Sequence, residues 1–419
     1  MSLELSRRAV LGGLAASAGV LAAGCAVRRP DDQLHGVDVT PAPSGSATDS
    51  PTAPTSTTTS SATPLPVPTV TVVAAHPDAA WPTDTLTVTV TNGTSTGVFL
   101  TDPAGNQIRG SLLGGVFTPN RQLLPETTYT AHVRVVDLAG NPVPEITADV
   151  TTLKPKISAS YNLLYSGDTC GVGTPLTIQF DSDVTTPEQR MAIERNLNVQ
   201  TDPFVAGAWG WVSKRTAFWR PAEYWQPGTT ATLNDAIGGV QTGPDKWVGQ
   251  DATAVYRFEP TQRIVRVDRQ KFRTTLWENG ALVNDLPCTT GKAGWESRQG
   301  IKPIMQKTPH ITMTSDFFGI SQDEAGGYSV ETYWDQLMTF SGEYIHSNDW
   351  SAYAMGKANV SHACVGLLRP NAKIVWDFTR IGTPVESSAS PRSMELTNGI
   401  SCWNFSLADW AKYSARFQS

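Results

Sequence analysis

From about residue 67 onward, apolar and polar residues alternate in short runs, the pattern of half-buried strands. Thr85-Leu86-Thr87-Val88-Thr89-Val90 is one such run, and Asn92-Gly93 after it offers a turn. Leu124-Pro125-Glu126-Thr127-Thr128-Tyr129 leads into another, Thr130-Ala131-His132-Val133-Arg134-Val135. The same grammar returns from about Lys154. Pro175-Leu176-Thr177-Ile178-Gln179-Phe180 mirrors the first strand, and Trp225-Gln226-Pro227-Gly228-Thr229-Thr230 mirrors the turn before the later one.

This weak repeat, with a period of roughly 100 residues, suits two immunoglobulin-like sandwiches, expected at 67–153 and 154–260. One insert breaks the alternation. Thr186-Pro187-Glu188-Gln189 is a capping box with Pro at the first helical position, and predicts a short helix from Pro187 to about Asn196. Trp209, Trp211, Phe218, Trp219, Tyr224 and Trp225 read as core and inter-domain packing, since alternating aromatics on strands fill a sandwich.

A third domain is expected at 261–388. Ile264-Val265-Arg266-Val267 and Phe272-Arg273-Thr274-Thr275-Leu276-Trp277 read as strands, with a type I′ turn at Glu278-Asn279-Gly280-Ala281 into Leu282-Val283. β-structure is expected to run on to about Val385. The tail, 389–419, carries Trp403, Phe405 and Trp410, and is expected to pack back onto the third domain.

The N-terminus reads differently. Arg7-Arg8 precedes an apolar stretch from Val10 to Ala23, which resembles a twin-arginine export signal and is too short to span a bilayer comfortably. Leu21-Ala22-Ala23-Gly24-Cys25 resembles a lipoprotein cleavage box, with Ala22 where Leu is usual and Leu21 one place early. Residues 1–25 are therefore read as a signal peptide with Cys25 as the lipidation site. The implied location is outside the cytoplasm, lipid-anchored to the outer face of the cytoplasmic membrane. Residues 26–66 begin with a short charged stretch and continue as Pro, Ser, Thr and Ala, a composition that cannot bury enough surface to order itself. They read as a flexible stalk. The 38 acidic and 32 basic residues nearly cancel, which gives no electrostatic footprint for nucleic acid.

Reactive side chains are densest at 340–370: Tyr344-Ile345-His346-Ser347-Asn348-Asp349-Trp350, then Asn359-Val360-Ser361-His362-Ala363-Cys364-Val365-Gly366. A cysteine nucleophile needs a thiolate, and a nearby imidazole can take its proton. His346 and Cys364 could do this if two strands bring them together. Taken alone, such a pair is also compatible with plain packing. A metal site from His346, His362 and Cys364 has no fourth ligand at helpful spacing. Cys170, Cys288 and Cys402 lie far apart with no CxxC pair, and their pairing is left open.

The segment resembles the L,D-transpeptidase motif, a His followed about 14 to 17 residues later by Ser/Thr-His-Gly-Cys-x-Asn. Here 14 residues separate His346 from Ser361-His362-Ala363-Cys364. His346-Ser347-x-x-Trp350-Ser351 is similar to mycobacterial members, as is the plan of two immunoglobulin-like modules before a catalytic domain. The resemblance extends through Thr290-Gly291-Lys292-x-Gly294-Trp295 and Gly300-Ile301-Lys302. It implies a mainly β chain: two immunoglobulin-like β-sandwich domains, a β-rich L,D-transpeptidase catalytic domain and a short C-terminal subdomain.

The resemblance also implies roles. Cys364 would be the nucleophile, His346 its base, and the Ser347 carbonyl the group that orients the imidazole. Ala363 and Cys364 N–H groups would form the oxyanion hole. Ser361 and His362 would support the loop and substrate, Tyr328 would stand on the lid over the active site, and Met313 and Trp350 would line the pocket. Phe318 stands where relatives often have a second tyrosine. The implied partners are donor and acceptor tetrapeptide stems of peptidoglycan, with carbapenems as covalent inhibitors and no cofactor or metal. The implied reaction is 3→3 cross-linking through a thioester. A non-catalytic wall-binding lipoprotein, an L,D-carboxypeptidase or a cysteine endopeptidase are the alternatives. Two departures fall inside the motif: Ala363 for Gly, and Gly366 for Asn.

Overall fold

The alternating runs become paired strands because one side of each can be buried while the other meets water. The computed structural model describes residues 64–315, 321–323 and 327–417. The expected signal with Cys25, the expected stalk up to residue 63, and Phe318 lie outside the described residues. The first sandwich has one sheet in the order Thr69–Ala74, Leu86–Thr91, Val116–Pro119, Gly110–Leu113. The other is Gln107–Ile108, Gly93–Thr101, Thr128–Asp137, Ile146–Thr151. Leu86, Leu100, Phe117, Tyr129, Ala131 and Val133 fill the space between. Asn92-Gly93 closes no hairpin. Asn92 takes a positive φ of 61°, and the strand beginning at Gly93 pairs with Thr128–Asp137 in the opposite sheet. The turn signal thus marks a corner between sheets.

The second module repeats the arrangement. Leu176–Phe180 lies between Tyr161–Leu164 and Thr216–Pro221, as Leu86–Thr91 lies between its two neighbours. Thr230–Asp235 lies between Leu197–Asp202 and Thr253–Phe258, as Thr128–Asp137 does in the first sheet pair. Helix α1, Pro187–Arg195, starts at the expected capping box: the Thr186 hydroxyl accepts from Gln189 N, and the Gln189 side chain accepts from Thr186 N. Trp209, Trp211, Trp219 and Trp225 are in the core of this module.

The third domain contains a five-stranded sheet, Ala281–Pro287, Arg273–Glu278, Arg263–Asp268, Val385–Ser388, Gly300–Ile301. A four-stranded sheet follows, Gln306–Thr314, Ser329–Leu337, Tyr344–Ser347, Val365–Leu367. The hairpin turn at Asn279-Gly280 has positive φ at both residues, as type I′ requires. Two pairings are parallel, Arg263–Asp268 with Val385–Ser388 and Tyr344–Ser347 with Val365–Leu367. Parallel neighbours need a crossover: residues 348–364, with a 3-10 helix at Asp349–Ala354, connect the second pair, and helix α2, Arg369–Phe378, follows Val365–Leu367 and leads to Val385–Ser388 in the other sheet. The helix corrects the expectation of unbroken β-structure to Val385. Its ten residues bury Ala372 and Val375 against Val265, Ile345 and Val365. So short an apolar period, with strands on either side, is ambiguous in sequence.

The tail packs more widely than expected. Its Ile400, Cys402, Trp403 and Trp410 form one core with Met305 and Leu337 of the third domain and with Val212 and Phe218 of the second module. Trp410 Nε1 donates to Ala208 O at 3.1 Å, and Trp211 N donates to Tyr413 O at 3.0 Å. Trp403 Nε1 donates to Gly173 O at 2.7 Å. Gly171 N donates to Ile381 O at 2.8 Å, and a Cβ on Gly171 would stand 2.3 Å from Thr383 N, so only glycine allows this approach of backbones. Trp410 is fully buried. Trp410→Ala is expected to cost about 3–5 kcal/mol, by lost burial and a cavity. Urea unfolding checks this, and a loss under about 1 kcal/mol would mean the tail does not join the two cores.

Candidate active site

Tyr344-Ile345-His346-Ser347 is a strand because Tyr and Ile favour the extended chain and its neighbours bury it on both sides. Its parallel partner pairs Ile345 with Val365, His346 with Gly366 and Ser347 with Leu367. Side chains alternate along a strand, so Ile345 and Val365 enter the core beneath α2 while His346 and Gly366 face the other way. Cys364 lies two residues before Gly366 and immediately before the strand, on a turn where Ala363 has φ 80°. The pairing therefore sets His346 on the strand next to the one that Cys364 enters.

The loop before Cys364 is fastened by polar side chains. Thr290 N and Oγ1 both donate to Asn359 Oδ1, at 3.0 and 2.8 Å, and Asn359 Nδ2 donates to Arg269 O at 3.1 Å. Thr289 N donates to Gly366 O and Gly366 N to Thr289 O, at 3.0 and 2.8 Å. Ser297 Oγ donates to Ala363 O, and Ser361 Oγ to Cys364 O, both at 2.6 Å. Ala363 is thus held in a backbone region that costs a non-glycine residue roughly 1–2 kcal/mol.

Cys364 and His346 are both buried, and burial disfavours the charged form of each. Cys364 is free, and its Sγ points to Gly342 O at 3.6 Å. Burial pushes its thiol up to about 12, with the Glu343 and Asp335 charges adding to the rise. Burial pulls His346 down to about 4, against the bond to Ser347 that raises it. His346 Nδ1 is 2.7 Å from Ser347 O. A carbonyl only accepts, so Nδ1 carries the proton and Nε2 is left as the basic nitrogen. The Ser347 oxygen does for this imidazole what a carboxylate does in a triad.

The other expected residues lie around this pair. Trp350 is exposed, with its ring 6.2 Å from the His346 ring. His362 stands between Trp295 and Tyr328, with ring centroids at 5.0 and 5.5 Å. Burial and Lys292 lower its pKa. Burial and then Cys364 push the Tyr328 phenol up to about 12. Met313 is half-buried farther along the same hairpin, paired with Val330. Cys170, Cys288 and Cys402 are free and buried.

Sequence reading missed a buried ionic cluster beside Cys364. Glu343 accepts from Arg298 Nη1 at 2.8 Å, Arg298 N at 3.0 Å and Lys302 Nζ at 2.7 Å. Lys302 Nζ also donates to Arg298 O at 2.6 Å. Lys302 and Glu343 are 0% and 1% exposed. Their local sequence carried little signal: Lys302 precedes Pro303, and Glu343 follows Gly342.

The structure also accounts for Gly366. A Cβ there would stand 2.6 Å from Asn348 Nδ2, 2.9 Å from Asn348 Cβ and 3.0 Å from Thr289 Cγ2. Asn348 is buried at the end of the histidine strand, and its Oδ1 accepts from Ser351 N at 3.2 Å. The amide of Asn348 occupies the room that a side chain at 366 would need.

Residues 262–386 match the model of the L,D-transpeptidase catalytic domain, and residues 78–241 that of a bacterial Ig domain. L,D-transpeptidase 5 of Mycobacterium tuberculosis is 30% identical over 347 residues, 80% of this chain and 74% of that one. The chain belongs to the L,D-transpeptidase family. L,D-transpeptidase 2 of the same species is 27% identical over 334 residues, 79% of this chain and 81% of that one. A solved L,D-transpeptidase in complex with imipenem is 27% identical, covering 56% of this chain and all of its own, with a TM-score of 0.47. For this L,D-transpeptidase the steric contact at 366 makes a specific expectation. Gly366→Asn alone should lower thioester formation about tenfold or more through overpacking, whereas Asn348→Ala with Gly366→Asn should recover most of it. Rates of Cys364 acylation in the two variants check this, and a double variant as slow as Gly366→Asn would refute the exchange of volume.

Proposed function

We propose that the chain cross-links peptidoglycan stems by acyl transfer through Cys364. What carries this reading is the His346 Nδ1 contact to the Ser347 carbonyl, which fixes the basic Nε2 on the imidazole beside the strand that begins at the cysteine. Nε2 takes the thiol proton as Sγ attacks the carbonyl of the third residue of a donor tetrapeptide. The resulting oxyanion is held by the N–H groups of Ala363 and Cys364. The bond to the terminal D-alanine breaks, its amine leaves with the proton from His346, and a thioester remains. The side-chain amine of diaminopimelate on a second stem attacks the thioester, giving a 3→3 cross-link and restoring the thiol. Water in place of the amine gives the carboxypeptidase outcome. A wall-binding role alone makes no use of a base oriented beside a free thiol.

Burial works against the thiolate and the imidazolium alike, so the substrate meets a pair in which separated charge is disfavoured. Tyr328 and His362 bound the substrate side, and Trp350 and Met313 line its flanks. Carbapenems are read as acylating the same sulfur, with the ring C–N bond opening. Intact mass after incubation with imipenem should show one full-mass adduct, lost in Cys364→Ala. Failure of the wild-type protein to add any mass would remove the basis of this reading.

The enzyme is further proposed to be exported and tethered by lipid at Cys25, on the strength of Arg7-Arg8, the apolar stretch to Ala23 and the Gly24-Cys25 junction. Tethering through the Pro-, Ser- and Thr-rich segment after Cys25 suits an enzyme whose substrate is a polymer above the membrane. Mature protein recovered from cells is expected to begin at Cys25 and carry acyl mass; any other N-terminus without acyl mass would discard the anchor.

A further inference from the structure

Asp335 is a buried carboxylate that the mechanism above leaves unused. It lies on the Ser329–Leu337 strand and is 0% exposed; burial raises its carboxyl to about 6 against the Thr332 hydroxyl, His310 and the backbone of Asp335 and Ile311, which lower it, and neither oxygen makes a hydrogen bond of good geometry among the described residues. The neighbouring Thr332 hydroxyl donates instead to Ile311 O, at 3.1 Å. Among the described residues no Lys or Arg forms an ion pair with Asp335. His310 is engaged with Glu331.

Its place in the sheet aims it at the site. Gln336 pairs with Ile345 and Leu337 with Tyr344, so the next position along this antiparallel ladder sets Asp335 across from His346. Gln336 and Ile345 face helix α2, the former through a hydrogen bond from Thr379 Oγ1. Alternation then turns Asp335 to the opposite side, with Tyr344 and His346. Its charge acts on both the Cys364 thiol and the Tyr344 phenol. Glu343, equally buried beside the same sulfur, has donors from Arg298 and Lys302 on both oxygens. Two acids thus share one neighbourhood, one with two cationic partners and one with no ion pair among the described residues. Burying a carboxylate without a counter-charge works against folding, and a cation that arrives with the substrate would relieve that cost.

We propose that Asp335 forms an ammonium subsite inside the active face, which receives the primary amine of the acyl acceptor. The proposal rests on the thioester reading above. A primary alkylamine is an ammonium at neutral pH, with a pKa near roughly 10. The carboxylate draws that ammonium next to the acylated sulfur. One N–H proton passes to His346 Nε2, the freed lone pair attacks the thioester carbonyl, and the C–S bond breaks. A second amine proton returns to sulfur as the amide forms, and His346 releases the first to solvent.

The test is the partition of the acyl-enzyme. The full chain is incubated with a tetrapeptide stem that serves as donor and acceptor, and cross-linked dimer and hydrolysed tripeptide are quantified together. Asp335→Asn keeps the shape and removes the charge. The ratio of dimer to tripeptide should fall about tenfold, the effect of losing one charge-assisted contact, and a higher acceptor concentration should restore it. The variant should melt no lower than the wild-type protein, because a buried charge without a counter-charge has been removed. An unchanged ratio overturns the subsite. So does a lower melting temperature with both products declining in step, which would make Asp335 structural. Absence of any thioester on wild-type Cys364 would overturn the transfer reading itself, and the subsite with it.

Discussion

One parallel pairing, Tyr344–Ser347 against Val365–Leu367, governs the chemistry of this molecule. A slip of one residue would turn His346 into the core and Ile345 out of it, since the side-chain period of a strand is two. The fold guards that register from both sides. Ile345, Val365 and Leu367 are buried beside α2, so a slip would expose them. On the far edge, Thr289 exchanges two backbone bonds with Gly366, and Thr290 grips Asn359. The loop carrying Ser361, His362 and Ala363 is thereby fixed at both ends, and the sulfur has a defined place before substrate arrives.

Burial then sets the electrostatics. A solvated Cys–His couple can rest as thiolate and imidazolium, but here both groups are enclosed and desolvation favours the uncharged form of each. The tautomer is set by a carbonyl rather than a carboxylate, which orients the ring without offering it a full counter-charge. Charge is instead stored nearby, in the Arg298–Glu343–Lys302 cluster, where each member has a partner. Glu395 of the tail also bonds Arg298, so the C-terminal segment reaches the ionic cluster as well as the second module.

Much of the architecture was legible in the alternation. Leu86–Thr91 and Leu176–Phe180 occupy equivalent places in their sandwiches, as the repeat implied, and the capping box at Thr186 opens a helix. Asn92-Gly93 shows the limit of local signals. The pair gives the positive φ it promises, but whether the following strand turns back or crosses to the other sheet depends on distant partners. Helix α2 was hidden for a related reason: ten residues hold too few turns to distinguish a helical period from a buried strand. In the site, His346 and Cys364 were marked by residue type and spacing. Asp335, Glu343 and Lys302 were not, because isolated charges read as solvent-facing until the sheet is assembled.

The two departures from the family motif are physically unlike. Ala363 keeps the left-handed backbone angle that suits glycine, and Ser297 holds its carbonyl in place, so the turn is retained under modest strain. Gly366 is a matter of volume, not of angle. The space above it is taken by Asn348, a side chain from the neighbouring strand's end, so any side chain at 366 would have to displace it. The register that sets the imidazole beside the strand after the sulfur rests on the backbone pairing that Gly366 shares with His346 and Thr289, and a side chain at 366 would press on Asn348 and Thr289.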